Sequence, residues 1–177
     1  ILDNSITAQA SNIQVILDVV DNTSQVAIID NGTGMTLSEL LEAMRPGSKN
    51  PLQIRDSNDL GRFGLGLKTA SFSQCRKLTV VSRKDGKLNA AIWDIDYVAK
   101  EDEWILQIPE DIEIDAIPFV EKIAESGTLV LWEKLDRLEQ ATDTTKLSDH
   151  LYESFDIARK HAELIFHRFL EGEKPYM

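Results

Sequence analysis

The chain has 177 residues, of which 42% are hydrophobic and 28% charged, and its formal net charge is −11. This length and composition are typical of one globular domain with a buried core, and no apolar run approaches the ~20 residues of a membrane span. The acidic balance disfavours a nucleic-acid-binding surface on this domain, since such surfaces cluster Lys and Arg. A single cysteine, Cys75, excludes an internal disulfide and is typical of a reducing compartment, so we expect a cytoplasmic protein without a membrane partner.

The first part of the chain predicts a helix end, a β-hairpin and a capped helix. Residues 1–10 predict the last turns of a helix. Residues 13–20 are apolar and β-branched and predict a strand, on which residues 25–29 pair back across a polar turn. Thr36 and Glu39 form a capping box that begins a short helix.

The second predicted strand ends in an acid followed by two glycines, in the run Asp30-Asn31-Gly32-Thr33-Gly34-Met35. This pattern suits the floor of a pocket. Asp30 can accept a hydrogen bond from an exocyclic amine, and Gly32 and Gly34 leave room for a flat ring. An ordinary Asn-Gly turn is the alternative, but it does not explain why an acid ends a buried strand.

Residues 60–71, LGRFGLGLKTAS, hold three glycines, Gly61, Gly64 and Gly66, around the start of a predicted helix at residues 65–74. Unpaired amides at a helix N-terminus favour negative charge, so this stretch predicts a phosphate cradle. The glycine order is wrong for a dinucleotide fingerprint, and Leu67 separates Lys68 from the last glycine, which excludes a Walker A loop. A tight turn before a core helix is the alternative, and for Lys68 the alternative is a solvated surface lysine.

The second part of the chain predicts further strands and helices. Asp85-Gly86 is a strong hairpin signal between predicted strands at residues 77–84 and 87–95. The remaining predicted elements are a strand at 104–108, a loop at 109–115, a short helix at 117–124, a strand at 129–132, and a helix at 147–170 with one apolar stripe. The whole order predicts an α+β two-layer sandwich, with a mostly antiparallel sheet and helices on one face.

Four short motifs fall in an order that resembles the four boxes of the GHKL ATPases. They are Asp3-Asn4-Ser5, Asp30-x-Gly32-x-Gly34, Gly61-x-x-Gly64-x-Gly66 and Ser126-Gly127-Thr128. That superfamily includes the gyrase B subunit, the ninety-kilodalton heat-shock chaperones, histidine kinases and MutL. The runs GRFGLGLKTAS, LTVVSRKDG and AIWDIDY look most like the microrchidia (MORC) type and its prokaryotic relatives. The resemblance implies the Bergerat fold.

The resemblance implies ATP and Mg²⁺ as ligands. Asn4 would hold Mg²⁺, Asp30 would receive the adenine amine, and Thr128 would support adenine directly or through a water. The full set implied to bind nucleotide is Asn4, Asp30, Gly32, Gly34, Met35, Gly61, Arg62, Phe63, Gly64, Leu65, Gly66, Leu67, Lys68 and Thr128. The catalytic Glu is expected immediately before Ile1, so no catalytic residue is expected within the chain.

The resemblance also implies one domain over residues 1–177, truncated at both ends, with an ATP lid in the loop at about 45–60. A γ-phosphate lysine would belong to a following transducer domain, so we expect weak nucleotide binding and little hydrolysis from this chain alone. In the full protein we expect slow ATP hydrolysis that drives lid closure and N-terminal homodimerisation of a DNA-acting MORC/MutL-like protein. Other domains would contact the DNA.

Three alternatives stay open from the sequence. The first is a histidine-kinase-type domain that transfers phosphate to a partner domain. The second is a nucleotide-gated clamp or chaperone without significant hydrolysis. The third is a site of this shape that binds no nucleotide.

Overall fold

One antiparallel sheet organises the first unit of the chain. The computed structural model describes residues 1–20, 23–45, 66–135 and 144–170, and the chain divides into two units, residues 1–137 and 138–177. Within the described residues, the sheet has the order β1-β2-β5-β3-β4. Its strands are β1 (Ile13–Val20), β2 (Thr23–Asp30), β3 (Lys77–Lys84), β4 (Lys87–Asp94) and β5 (Gly127–Glu133).

Two hairpins form the sides of the sheet, and the last strand in sequence fills its centre. β1 pairs with β2, and β3 with β4, in continuous antiparallel register. Between β3 and β4, Asp85 and Gly86 have φ values of 52° and 74°, which are the two positive φ angles of a type I′ turn. β5 then pairs with β2 on one side and with β3 on the other. The predicted hairpins and the α+β fold class are confirmed.

Among the described residues, the first helices in chain order are α1 (Leu2–Thr7), α2 (Leu37–Met44), α3 (Gly66–Phe72) and α4 (Ile95–Glu101). α2 begins where the sequence predicts, because the Thr36 hydroxyl accepts from the Glu39 amide and the Glu39 carboxylate accepts from the Thr36 amide. α2 and α3 pack on one face of the sheet. There the Trp93 indole donates to the Met44 carbonyl at 3.0 Å, and the Trp132 indole donates to the Ser71 hydroxyl at 2.8 Å.

The opposite face of the sheet carries a second core. Side chains alternate across a strand, so Ala27 and Ile29 of β2 lie on this face while Ile28 and Asp30 lie on the other. The cluster also contains Val81, Ala90, Leu129, Leu131, Ile114, Val120 and Ile123. Ile114 belongs to a short helix, α5 (Asp111–Ile114), and Val120 to a 3₁₀ turn (Val120–Lys122).

Residues 95–124 are where the sequence prediction is wrong. The predicted strand at 104–108 is a single bridge between Gln107 and Ile92. Trp104 does not pair in the sheet, because its ring makes a T-shaped contact with Trp93. It remains 71% exposed. The predicted loop at 109–115 contains α5, and the predicted helix at 117–124 is only a 3₁₀ turn. α4 was not predicted. Its start is set by Asp94, whose carboxylate accepts from the Asp96 amide.

The described part of the second unit, residues 144–170, forms one long helix, α6 (Thr144–Leu170), which confirms the helix predicted at 147–170. Along the predicted apolar stripe, Leu151 is buried, whereas Ile165 and Phe169 are 54% and 47% exposed. Arg159 pairs with Asp156 and Glu163, three and four positions away on the helix surface. In the part of the chain that the structure describes, no helix has the length and apolar character needed to cross a bilayer.

Candidate functional site

Asp30 lies at the end of β2 and is held by two donors. Its side chain is buried, at 8% exposure. One carboxylate oxygen accepts from the Ser5 hydroxyl at 2.8 Å, and the other accepts from the Gly32 amide at 2.9 Å. A carboxylate has about four lone-pair positions, so each oxygen keeps acceptor capacity for a further donor. A buried carboxylate held this way is a fixed acceptor at the edge of the sheet.

The turn after Asp30 is docked onto the end of α1. The Asn31 side chain accepts from the amides of Ser11 and Asn12 at 2.9 and 2.8 Å, and the Thr33 amide donates to the Ala8 carbonyl at 3.0 Å. A Cβ on Gly32 would lie 2.7 Å from that same carbonyl oxygen. The close approach sets the position of α1 relative to Asp30. It places Ser5 against Asp30 and leaves the preceding side chain of α1, Asn4, exposed.

Two other glycines, Gly34 and Gly127, lie where two segments of backbone are in close contact. Gly34 has a φ of +66°, and a Cβ there would lie 1.9 Å from the Arg83 carbonyl oxygen of β3. Gly127 has a φ of +144°, and a Cβ there would lie 2.0 Å from the Asp30 carbonyl oxygen. The turn after β2 is therefore pressed against β3, and the start of β5 is pressed against the end of β2.

A row of buried polar side chains crosses four strands beside this turn. Asp30 of β2 pairs with Thr128 of β5, Thr128 pairs with Ser82 of β3, and Ser82 pairs with Asn89 of β4. Their exposures are 8%, 9%, 0% and 6% in that order. The next row on the same face is apolar: Ile28, Val130, Val80 and Ala91. Buried polar groups are retained where they have partners or a ligand, so this row separates a polar site from the core.

Ser82 connects the row to the turn. Its hydroxyl accepts from the Met35 amide at 2.8 Å, and lies 2.9 Å from the Thr128 hydroxyl and 3.0 Å from the Gly127 carbonyl. The Asn89 side chain donates to the Met35 carbonyl at 3.4 Å. Both backbone polar groups of Met35 are thus held on the sheet by side chains of the row.

Lys68, on α3, is not a solvated surface lysine, because it is only 4% exposed. Its ammonium donates to the Ala43 carbonyl at 2.8 Å and to the Arg45 carbonyl at 2.6 Å. Those carbonyls lie at the C-terminal end of α2, where a cation is favoured by the helix dipole. Contact of Lys68 with a phosphate stays a prediction.

The structure brings several predicted site residues together. Asp30, Gly32, Gly34, Met35 and Thr128 surround the end of β2, and Asn4 lies on α1 beside Ser5. Gly66, Leu67 and Lys68 lie on α3. The cradle residues Gly61, Arg62, Phe63, Gly64 and Leu65 lie outside the described residues, as does the predicted lid at about 45–60 apart from Arg45.

Three residues of the site were missed by the sequence analysis: Ser5, Ser82 and Asn89. Ser5 carried a signal, since it directly follows Asn4 in the first motif. Ser82 and Asn89 carried none, since they are ordinary polar residues within predicted strands. Across the described ranges, no group of three or more His, Cys, Asp or Glu side chains is arranged to hold a metal ion. A separate pocket of about 650 Å³ lies at the β3–β4 turn, and the residues that line it are not among those predicted to bind nucleotide.

Residues 1–128 match the family model described as histidine kinase-, DNA gyrase B- and HSP90-like ATPase. The matched span runs from α1 to Thr128 and contains all four motifs. This chain belongs to the histidine kinase-, gyrase B- and HSP90-like ATPase family. Membership of this ATPase family supports ATP binding in general terms, and it agrees with the buried Asp30 carboxylate and the glycine-lined turn at the end of β2.

Two kinds of relatives within the family are similar to this chain. A chaperone protein HtpG of Rickettsia canadensis (strain McKiel) is 33% identical over 104 residues, which cover 53% of this chain and 16% of the relative. The ATPase morc-1 of Caenorhabditis elegans is 26% identical over 174 residues, which cover 87% of this chain and 20% of the relative. The chain therefore spans about a sixth to a fifth of the length of these curated relatives.

Proposed function

We propose that this chain is the Mg²⁺-dependent ATP-binding domain of a MORC/MutL-like protein, in which nucleotide binding closes a lid and drives N-terminal homodimerisation. The observation that carries the proposal is the pair of oxygen acceptors on Asp30 and Thr128. They occupy directly paired positions on β2 and β5, with their side chains on one face of the sheet. Ser5 and Gly32 donate hydrogen bonds to Asp30, and the Ser82 hydroxyl contacts that of Thr128.

The base of the nucleotide would bind at this acceptor pair. An adenine amine has two N–H donors, and Asp30 and Thr128 supply two acceptors for them. Gly32 and Gly34 carry no side chain that would cover the ring, and the Met35 backbone is immobilised by Ser82 and Asn89. The ring would therefore meet a preorganised surface, which reduces the entropy lost on binding.

The phosphates would extend toward α1 and the glycine-rich stretch. Asn4 is exposed on α1 next to Ser5, and its amide oxygen is a hard ligand of the type that suits Mg²⁺. When bound, Mg²⁺ would neutralise charge on the phosphate oxygens. The amides of Gly64 to Leu67 and the Lys68 ammonium are proposed to hold the β- and γ-phosphates, and Lys68 would have to leave the Ala43 and Arg45 carbonyls to do so.

Hydrolysis in the whole protein would be attack by a water on the γ-phosphorus. The attacking water would lose its proton to the Glu that the resemblance places immediately before Ile1, and ADP would leave with the β–γ bridging oxygen. Asp30 and Thr128 take no part in this step. Their contribution is to set the position of the base and, through it, the position of the phosphate tail.

A matched pair of variants tests nucleotide binding. Asp30→Asn replaces one carboxylate oxygen with an NH₂ group, which is a donor where the adenine amine needs an acceptor. The affinity for ADP measured by calorimetry should therefore fall about a hundredfold. The control is Asp18→Asn on β1, which removes a carboxylate that accepts from the Gln25 amide at 2.8 Å away from the row, and its affinity should equal that of the parent chain. A parent chain that binds no ADP, or equal binding by Asp30→Asn, contradicts the proposal.

Dimerisation is tested separately on the full-length protein. Sedimentation with a non-hydrolysable ATP analogue should show a dimer that is absent with ADP. The similarity to HtpG chaperones favours a second candidate, a nucleotide-gated chaperone, in which the dimer forms equally but added DNA changes neither the sedimentation nor the ATPase rate. Transfer of labelled phosphate to another part of the protein would instead indicate a kinase.

A further inference from the structure

The hydroxyl of Ser82 has three polar neighbours, and together they use all of its hydrogen-bonding capacity. A serine hydroxyl has one O–H donor and two lone pairs. The Met35 N–H can only donate, so it takes one lone pair. The Gly127 carbonyl can only accept, so it takes the Ser82 proton. The second lone pair then remains for the Thr128 hydroxyl at 2.9 Å.

This accounting assigns a direction to the contact between Ser82 and Thr128. All three contacts are hydrogen bonds at once only if Thr128 donates its proton to Ser82. Ser82 is fully buried, at 0% exposure, where an unmade hydrogen bond costs the desolvation of the group. The arrangement that satisfies every group is therefore favoured. In it, the Thr128 oxygen has only lone pairs left for any other partner.

We propose that Ser82 is a positioning residue for base selection, which holds the Thr128 hydroxyl as an acceptor so that the site prefers a purine with a 6-amino group. The inference rests on the proposed function, because it concerns how the same site recognises its nucleotide. With Asp30 beside it, Thr128 completes a pair of acceptors facing two N–H donors. A base without donors at this position leaves the remaining lone pairs of both acceptors without a donor, which is the stronger form of discrimination in polar sites.

Ser82 also has a purely structural role that must be separated from this one. It holds the Met35 amide, so its removal loosens the turn that carries Gly32 and Gly34. A loosened turn weakens every nucleotide in similar proportion, since the ring stacks there whatever its substituents. Loss of the Thr128 orientation instead weakens only those ligands that present an N–H donor to it. The ratio of two affinities therefore distinguishes the roles, whereas one affinity does not.

The experiment compares ADP with purine riboside 5′-diphosphate, which has hydrogen in place of the 6-amino group. The parent chain should prefer ADP. In Ser82→Ala the Thr128 proton is released and competes for the space of the amine, so the preference should fall about five- to tenfold. Thr128→Val removes the acceptor and should reduce the preference by a similar factor. In the double variant Ser82→Ala/Thr128→Val the preference should fall no further, because Ser82 acts through Thr128.

Thr79→Val is the control, since Thr79 is a buried hydroxyl on the same strand whose side chain contacts Glu133 at 3.2 Å. It should lower stability and leave the preference unchanged. If Ser82→Ala does not fold, Thr128→Val alone decides, and an unchanged preference overturns the proposal. A Ser82→Ala effect that persists in the Thr128→Val background also overturns it. A parent chain that binds neither ligand refutes the proposed function, whereas normal ADP preference in Ser82→Ala refutes this inference only.

Discussion

Gly34 and Gly86 form a natural pair for measuring how closely the turn after β2 is pressed against the sheet. Both have positive φ, at +66° and +74°, so alanine at either position pays the left-handed penalty of about 1–2 kcal/mol. A Cβ at Gly86 meets no atom within 4 Å, whereas a Cβ at Gly34 would lie 1.9 Å from the Arg83 carbonyl oxygen. The two substitutions therefore share the conformational cost and differ in the clash.

The size of the difference follows from the contacts around Gly34. A carbon and a carbonyl oxygen approach to about 3.3 Å in ordinary contacts, so the turn of Gly34→Ala must move away from β3 by roughly 1.4 Å. That displacement breaks the bond from the Met35 amide to Ser82, which is 2.8 Å long, and leaves a buried donor and acceptor unpaired at about 1–3 kcal/mol. We expect the free energy of unfolding of Gly34→Ala to be lower than that of Gly86→Ala by about 2 kcal/mol or more.

Urea denaturation of the parent chain and both variants measures this difference from the midpoints, provided that the slopes agree. Calorimetry with ADP gives a second readout, because a displaced turn moves Gly32 and Met35 away from Asp30. Gly86→Ala should bind ADP as the parent chain does, and Gly34→Ala should bind it weakly. Equal free energies of unfolding for the two variants would show that the turn is not pressed against β3, and the derivation of the site would then be wrong.

Two further predictions concern the ends of α2. The pKa of Glu39 is lowered to about 2 by hydrogen bonds, first from Lys84 and then from Thr36, so Glu39 stabilises the fold above its unfolded pKa near 4.5 and this contribution is lost as the pH falls toward 2. Because the side chain is 51% exposed, Glu39→Gln should lower the free energy of unfolding by only about 1 kcal/mol at pH 7. If urea denaturation gives an equally large difference between the two proteins at pH 2.5, this explanation is wrong. At the other end, Lys68→Met should cost about 2 kcal/mol, because the Ala43 and Arg45 carbonyls lose their donor. The exposed control Lys87→Met should change stability by less than about 0.5 kcal/mol, and equal losses for the two variants would refute the role of Lys68.

Sequence patterns predicted several residues that lie together in the candidate site, because part of its geometry is local in the chain. Asp30 is the last residue of a buried strand, and Gly32 and Gly34 follow it in the chain. The hydrogen bond from the Gly32 amide to Asp30 spans two positions, so the motif contains it. For Trp104, the sequence pattern predicts the wrong structure. An aromatic residue in a short apolar run predicts a strand. Trp104 instead contacts the ring of Trp93 and remains 71% exposed.

By itself, the sequence determined the elements whose stabilising contacts lie within a few residues. The capping box at Thr36, the Asp85-Gly86 turn and the buried apolar run at residues 26–29 are of this kind, and each is present in the structure. Only the tertiary structure decided what Ser82, Asn89 and Lys68 do. Ser82 meets Met35 across 47 positions and Thr128 across 46, and Lys68 reaches α2 across 25 and 23. Such contacts depend on which strands pair and in what register, and a shift of one residue would turn every side chain of a strand to the other face.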